Sequence, residues 1–180
     1  MAVIKLPKIG YGQIEPNRLA SQSSKSIFSQ LPANKDMKLI EQGMAAVYDQ
    51  VKGEVRFPVA GDSDVSIVMN EVLLPLEGAQ MDRDFALIAH PQTDHQAANA
   101  AYPRLFPLTV GDAITTNTIK VLTDFDSIAD KAVFLPDVDG YWVETAVPAD
   151  APVQLALVKK FTMPDGQKAV KLAVIRAGGK

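Results

Sequence analysis

No stretch of this 180-residue chain keeps a 3.6-residue apolar period for more than a turn or two, while turn-forming residues recur throughout. That rhythm argues for many short strands and against helices. "GMAAVYD", "QVKG" and "EVRFPV" read as strand, turn, strand. "DVSIVMNEVLL" follows the turn "AGDSD", with Val65, Ile67 and Met69 on one face. "DFALIAH" reads as a short strand. "RLFPLTVGDAITTNTIKV" carries two β stretches about Gly111-Asp112, and "KAVFLPDVDGYWVETAV" two more about "PDVDG". The end of the chain is the clearest hairpin: "VQLALVKKFTM" and "QKAVKLAVIRA" flank Pro164-Asp165-Gly166, where glycine supplies a positive φ. "HPQTDHQAANAAYP" reads as a loop or a short helix, and "DFDSIADKAVF" suggests a helical turn or two, capped by Asp124 or Asp126. The expected fold is mainly β, a single β-barrel or β-sandwich domain over residues 36–180.

Residues 1–35 break the pattern. Val3, Ile4, Leu6, Ile9, Tyr11 and Ile14 are interrupted by Pro7, Gly10, Gly12 and Pro16, so the segment folds neither as a helix nor as a hairpin. A polar stretch, "SQSSKS", follows, then Ile27, Phe28 and Leu31 as an anchor. Thirty extended residues reach about 100 Å. A compact domain made from the rest has a radius of gyration of only about 15–16 Å. The leader therefore either wraps its own domain as an N-terminal strand or crosses it to a neighbour. The reading favoured is an extended arm, residues 1–35, that binds a partner through Ile4, Leu6, Ile9, Tyr11, Ile14 and Phe28.

Charge and composition exclude several function classes. The net charge is −3, from 18 basic and 21 acidic residues, with no run of five like charges. No electrostatic grip on nucleic acid or on an anionic membrane is expected. There is no cysteine, so neither disulfides nor thiolate metal sites form. No apolar run approaches the length of a membrane span, and "MAVIKLPKIGYG" lacks the unbroken apolar core of a signal peptide.

Catalytic signatures are weak. His90, Asp94 and His95 sit in "AHPQTDHQ", but the spacing fits no familiar metal set and no third histidine exists. Asp82 and Asp84 flank Arg83, which reads as a salt-bridged edge. Asp62 and Asp64 in "GDSD", and Asp137 and Asp139 in "DVDG", look like calcium-loop fragments. The twelfth position counted from Asp137 is Pro148 rather than glutamate, so these read as Asx turns. No phosphate-binding glycine loop or nucleophile elbow is present. Tyr141-Trp142 is a core pair or, alternatively, a sugar-stacking platform. No catalytic residue, metal or cofactor is expected.

One segment resembles a known class. Tyr102-Pro103-Arg104-Leu105-Phe106, Gly111-Asp112 and Thr115-Thr116-Asn117-Thr118 are similar to a motif in structural proteins of tailed-bacteriophage heads, and "GMAAVYDQVKGEVRFPV" resembles a strand-turn-strand section of the same proteins. Together they cover about a quarter of the chain. The resemblance implies a non-enzymatic capsid decoration, or cement, protein on the virion exterior, assembled in the host cytoplasm. Its implied partners are the major capsid protein and copies of itself, as a trimer or dimer. The alternatives are a phage tail or neck protein, a β-sandwich module that binds carbohydrate or another ligand, and an enzyme built on His90, Asp94 and His95.

Overall fold

The alternating runs become strands in the computed structural model of the chain. It describes residues 3–8, 12–69, 102–146, 150–163 and 166–178, and the backbone of 86–88. The fold is mainly β, built from two main sheets in a sandwich-like arrangement. The first sheet has eight strands, in the order β1 (Ile4–Lys5), β10 (Ile119–Val121), β12 (Trp142–Thr145), β11 (Val133–Pro136), β13 (Gln154–Thr162), β14 (Lys168–Arg176), β9 (Ala113–Thr116) and β2 (Ile14–Arg18). The second has four: β5 (Glu54–Arg56), β4 (Ala45–Asp49), β6 (Val65–Val68) and β8 (Leu105–Pro107). A small pair joins β3 (Leu39–Glu41) to β7 (Ala86–Ile88).

Period-two alternation places the core on both faces of the four-stranded sheet. Ala45, Val47, Val65, Ile67, Phe106 and Leu108 face the large sheet and pack with Ile114, Trp142, Leu155 and Leu172. Ala46, Val55, Val68 and Leu105 face the other way, where Met37, Ile40 and Tyr141 cover them. Residues 28–33 strap this outer face. Phe28 bridges to Leu105 on one edge strand, and Ala33 bridges to Val55 on the other. Phe28 also stacks on Tyr48, with ring centroids 4.7 Å apart.

The large sheet cannot be flat. β10 and β9 stand five strand steps apart in its order, about 24 Å in a flat sheet. In the chain only Asn117 and Thr118 separate them, a link of at most about 11 Å. The sheet therefore curls until its two ends meet at this corner, without closing into a barrel.

Most expected strands are present, with differences in detail. "RLFPLTVGDAITTNTIKV" forms three strands rather than two, because the corner divides the last stretch. Residues 123–131 contain no helix. Asp124 instead accepts from Ser127 N and Oγ in a local turn, the competition that Asp and Ser pose to helix hydrogen bonding. The helix among the described residues is α1 (Ala20–Ser24), within the stretch that composition marks as flexible. His90, Asp94, His95, Asp82, Arg83, Asp84 and the turn residues Pro164 and Asp165 lie outside the described residues.

The terminal hairpin pairs β13 with β14 from Gln154–Arg176 to Thr162–Lys168. Met163 N–H donates to the Gln167 carbonyl, and Gly166 N–H donates to Met163. Gly166 has φ +85, and nothing lies within 4 Å of where a Cβ would stand. A side chain there meets backbone strain alone. Gly166→Val is expected to lower stability by about 1 kcal/mol or more, read as a lower thermal midpoint. An unchanged midpoint would contradict this turn geometry.

Candidate functional site

The leader lies along the corner. Ile4 and Lys5 stand opposite Val121 and Lys120, and Ile14, Glu15, Pro16 and Arg18 stand opposite Thr116, Thr115, Ile114 and Ala113. The segment thus runs antiparallel to residues 113–121 and supplies both edge strands of the large sheet. Between the two paired stretches the leader spends residues 6–13 against only 117–119. Pro16 and the charged Glu15 and Arg18 make β2 a guarded edge.

Polar side chains stitch the loop down. Thr115, Thr116, Asn117 and Thr118 are all buried, and buried polar groups need partners. Asn117 Oδ1 accepts from Gln13 N at 2.7 Å, and Asn117 Nδ2 donates to Gln167 Oε1. Thr116 Oγ1 donates to the Gln13 carbonyl at 2.8 Å, and Thr115 Oγ1 to Asn17 Oδ1 at 2.7 Å. Thr118 Oγ1 donates to the Gln42 carbonyl. Gly12 passes close against the corner. A Cβ there would sit 2.5 Å from the Gln42 carbonyl oxygen and 2.6 Å from Thr118 Oγ1. Asp112, beside the corner, accepts from Ala20 N at 2.8 Å and from Thr109 N.

A charged clasp closes the loop. Glu41 Oε1 accepts from Gly12 N at 3.0 Å, while Oε2 accepts from Lys8 Nζ and, at 3.0 Å, from the Tyr141 hydroxyl. Lys5, Lys8 and Lys120 all approach the Tyr141 ring, at 4.5, 5.1 and 5.2 Å from its centroid. Burial pushes the Lys8 ammonium below the usual lysine range, against the pull of Glu41. Burial and then the Glu41 charge push the Tyr141 phenol well above its ordinary value. Burial also opposes the Lys120 charge, but hydrogen bonds to Asp137 and Asp139 outweigh it and hold its pKa up.

Of the six arm residues expected to bind a partner, Leu6 is buried in the main core and Ile14 packs against it. Phe28 packs on the second cluster. Ile4 is 53% exposed and Val3 beside it 37%. Ile9 and Tyr11 lie outside the described residues. The described part of the leader is therefore woven into its own chain's sheet. Sequence reasoning missed Lys8, Gly12 and Gln13 as the leader's attachment points and Glu41 and Tyr141 as the clasp that receives them. One signal was present: "TTNT" places short polar side chains where a half-buried strand alternates.

Trp142 is fully buried and donates through Nε1 to the Gly43 carbonyl at 2.9 Å, so its ring offers no stacking surface. Asp137 caps its own turn by accepting from Asp139 N and Tyr141 N, as an Asx turn does. Asp62 accepts from both terminal nitrogens of Arg56 and from Val59 N. No group of three or more metal-ligating side chains occurs among the described residues. A groove of about 840 Å³ borders the β4–β5 tip, between Tyr48, Val51, Asp62 and Leu108. Arg56 there is ion-paired with Asp49 and Asp62. Taken together, the corner and clasp form a slot that holds the leader on both sides, by strand pairing at Ile4–Lys5 and Ile14–Arg18.

Glu41→Gln keeps an acceptor for Gly12 but leaves Lys8 buried without a counter-charge. It is expected to weaken leader attachment by about 1–3 kcal/mol, seen as faster amide exchange at Leu6 and Gln13 with Leu172 unchanged. Equal loss at all three amides would mean that the clasp acts on the whole fold. Tyr141 adds a pH dependence. Its folded pKa is raised, so its contribution is complete below about pH 10 and is lost as pH rises further, because the unfolded phenol ionises first. Tyr141→Phe is expected to flatten that alkaline loss in urea titrations run on either side of about pH 10.

No protein-family model matches the chain, no curated protein matches it, and no solved structure matches it.

Proposed function

We propose that this chain is a non-enzymatic structural protein of a bacteriophage virion, which decorates the capsid exterior and stabilises it by bridging capsid subunits. The observation that carries the reading is the leader slot. The segment whose sequence resembles phage-head structural proteins, from Gly111-Asp112 through Thr115–Thr118, is also the segment that receives the leader by backbone pairing and buried side-chain bonds. A sheet that takes up an extended, turn-punctuated segment as its edge uses the chemistry by which β structures join neighbours: main-chain bonds for affinity and alternate side chains for specificity. Val3 and Ile4 remain exposed, and Ile4 lies on β1, an edge strand of the large sheet. They are the apolar contacts offered to the shell. The reading places the protein among copies of itself, as a trimer or dimer, on the major capsid protein.

The test mixes purified protein with expanded, undecorated capsids and measures co-sedimentation, stoichiometry and capsid melting. Saturable binding in proportion to the shell subunits, with a higher capsid melting temperature, is expected. Ile4→Asp is expected to reduce binding at least tenfold, a loss of about 1.4 kcal/mol, with the protein's own melting unchanged. Binding at a single vertex would move the protein to the tail or neck. No binding would remove the virion-exterior reading.

A further inference from the structure

We infer that the leader slot is an exchange site, in which the leader of one copy seats in the slot of a second copy through Ile4–Lys5 and Ile14–Arg18. This deepens the bridging role proposed above by naming the partner as another copy of this chain.

Three observations carry it. First, the hydrogen bonds that seat the leader run to body residues. Leu6 donates to Ile119, Lys8 and Gly12 to Glu41, Gln13 to Asn117 and Ala20 to Asp112. A leader from a second copy makes the same bonds, so exchange leaves the inventory of contacts unchanged. Second, the connection out of the slot is built as a hinge. Leu19 and Ser21 are buried, but Gln22, Ser23, Ser24, Lys25 and Ser26 are all exposed. α1 has no side-chain cap at its N-terminus. Third, the hinge is strained where it turns back. Lys25 has φ 57, a left-handed conformation in a residue with a side chain. Opening the hinge into an extended linker relieves that strain, and a strained short hinge favours exchange. The balance is then set by concentration. In dilute solution a chain's own leader has the advantage of tethering, and crowding of copies removes it.

The cysteine-free sequence supplies a clean test. Glu15 and Thr115 stand directly opposite across β2 and β9, within the separation a disulfide needs. Glu15→Cys and Thr115→Cys are made in separate full-length chains, unfolded and refolded together at high concentration, and oxidised. Exchange predicts a band at twice the 19.4 kDa of one chain on a non-reducing gel. Adding Lys25→Gly to both chains, which removes the hinge strain, is expected to reduce that band severalfold. A double Glu15→Cys, Thr115→Cys chain serves as the reference for closure within one molecule. Closure in that chain without cross-linking between the single variants would overturn the inference. If the reference does not close, sedimentation of the refolded wild-type decides. A dimer that relaxes slowly to monomer on dilution supports exchange, and monomer alone overturns it. No capsid is present, so failure here leaves the decoration reading standing, and failure to bind capsids leaves exchange standing.

Discussion

The link of two residues between β9 and β10 is the constraint from which the rest of the structure follows. It forces the two ends of a long sheet to meet, and the meeting point is crowded enough to bury Thr116, Asn117 and Thr118 completely. Apolar side chains would fill such a corner but could not pair the backbone groups that a sharp corner frees. Short polar side chains do both. Their partners then have to come from somewhere, and they come from the leader (Gln13, Asn17), from the Gln42 carbonyl and from Gln167.

Residues 41–43 transmit this arrangement to the second sheet. Glu41 clasps the leader, Gln42 accepts from the corner through Thr118, and the Gly43 carbonyl accepts from Trp142 in the large sheet. Gly43 N–H in turn donates to Val68 of the four-stranded sheet, and Ala45 N–H donates to Gly140. A short polar segment thus ties leader, corner and both sheets together, while apolar clusters on the two faces of the smaller sheet supply the bulk of the burial. Ordering the leader costs about 1–2 kcal/mol of backbone entropy per residue. Leu6 and Leu19 are its deeply buried apolar contacts in the main core, and hydrogen bonds to the corner and to Glu41 seat the stretch between them. This is the physical basis for treating the leader as a strand that can be bound by one copy or another.

Local patterns were readable wherever a residue's neighbours in sequence are also its neighbours in space. The terminal hairpin is such a case: Gly166 and the alternation of Val170, Leu172 and Val174 report on contacts within the hairpin and on one buried face. The turn at Asp137 is another, because its carboxylate bonds to amides only two and four residues away. Residues 123–131 misled for the converse reason. A capping aspartate looks the same in sequence whether a helix follows or Ser127 takes its bonds. α1 went unread because five residues rich in serine have little helical preference of their own, and burial of Leu19 and Ser21 holds them in place.

The sequence by itself determined that this chain is mainly β, with turns at glycines such as Gly53, Gly111 and Gly166. Those properties come from φ/ψ limits and side-chain period, which act over a few residues. Only the tertiary structure decided where the leader goes and what receives it. Lys8 meets Glu41, and Gln13 meets Asn117, across separations of 33 and 104 residues. A contact of that range exists only after a curled sheet has brought its two ends together, and no short stretch of sequence encodes that curl.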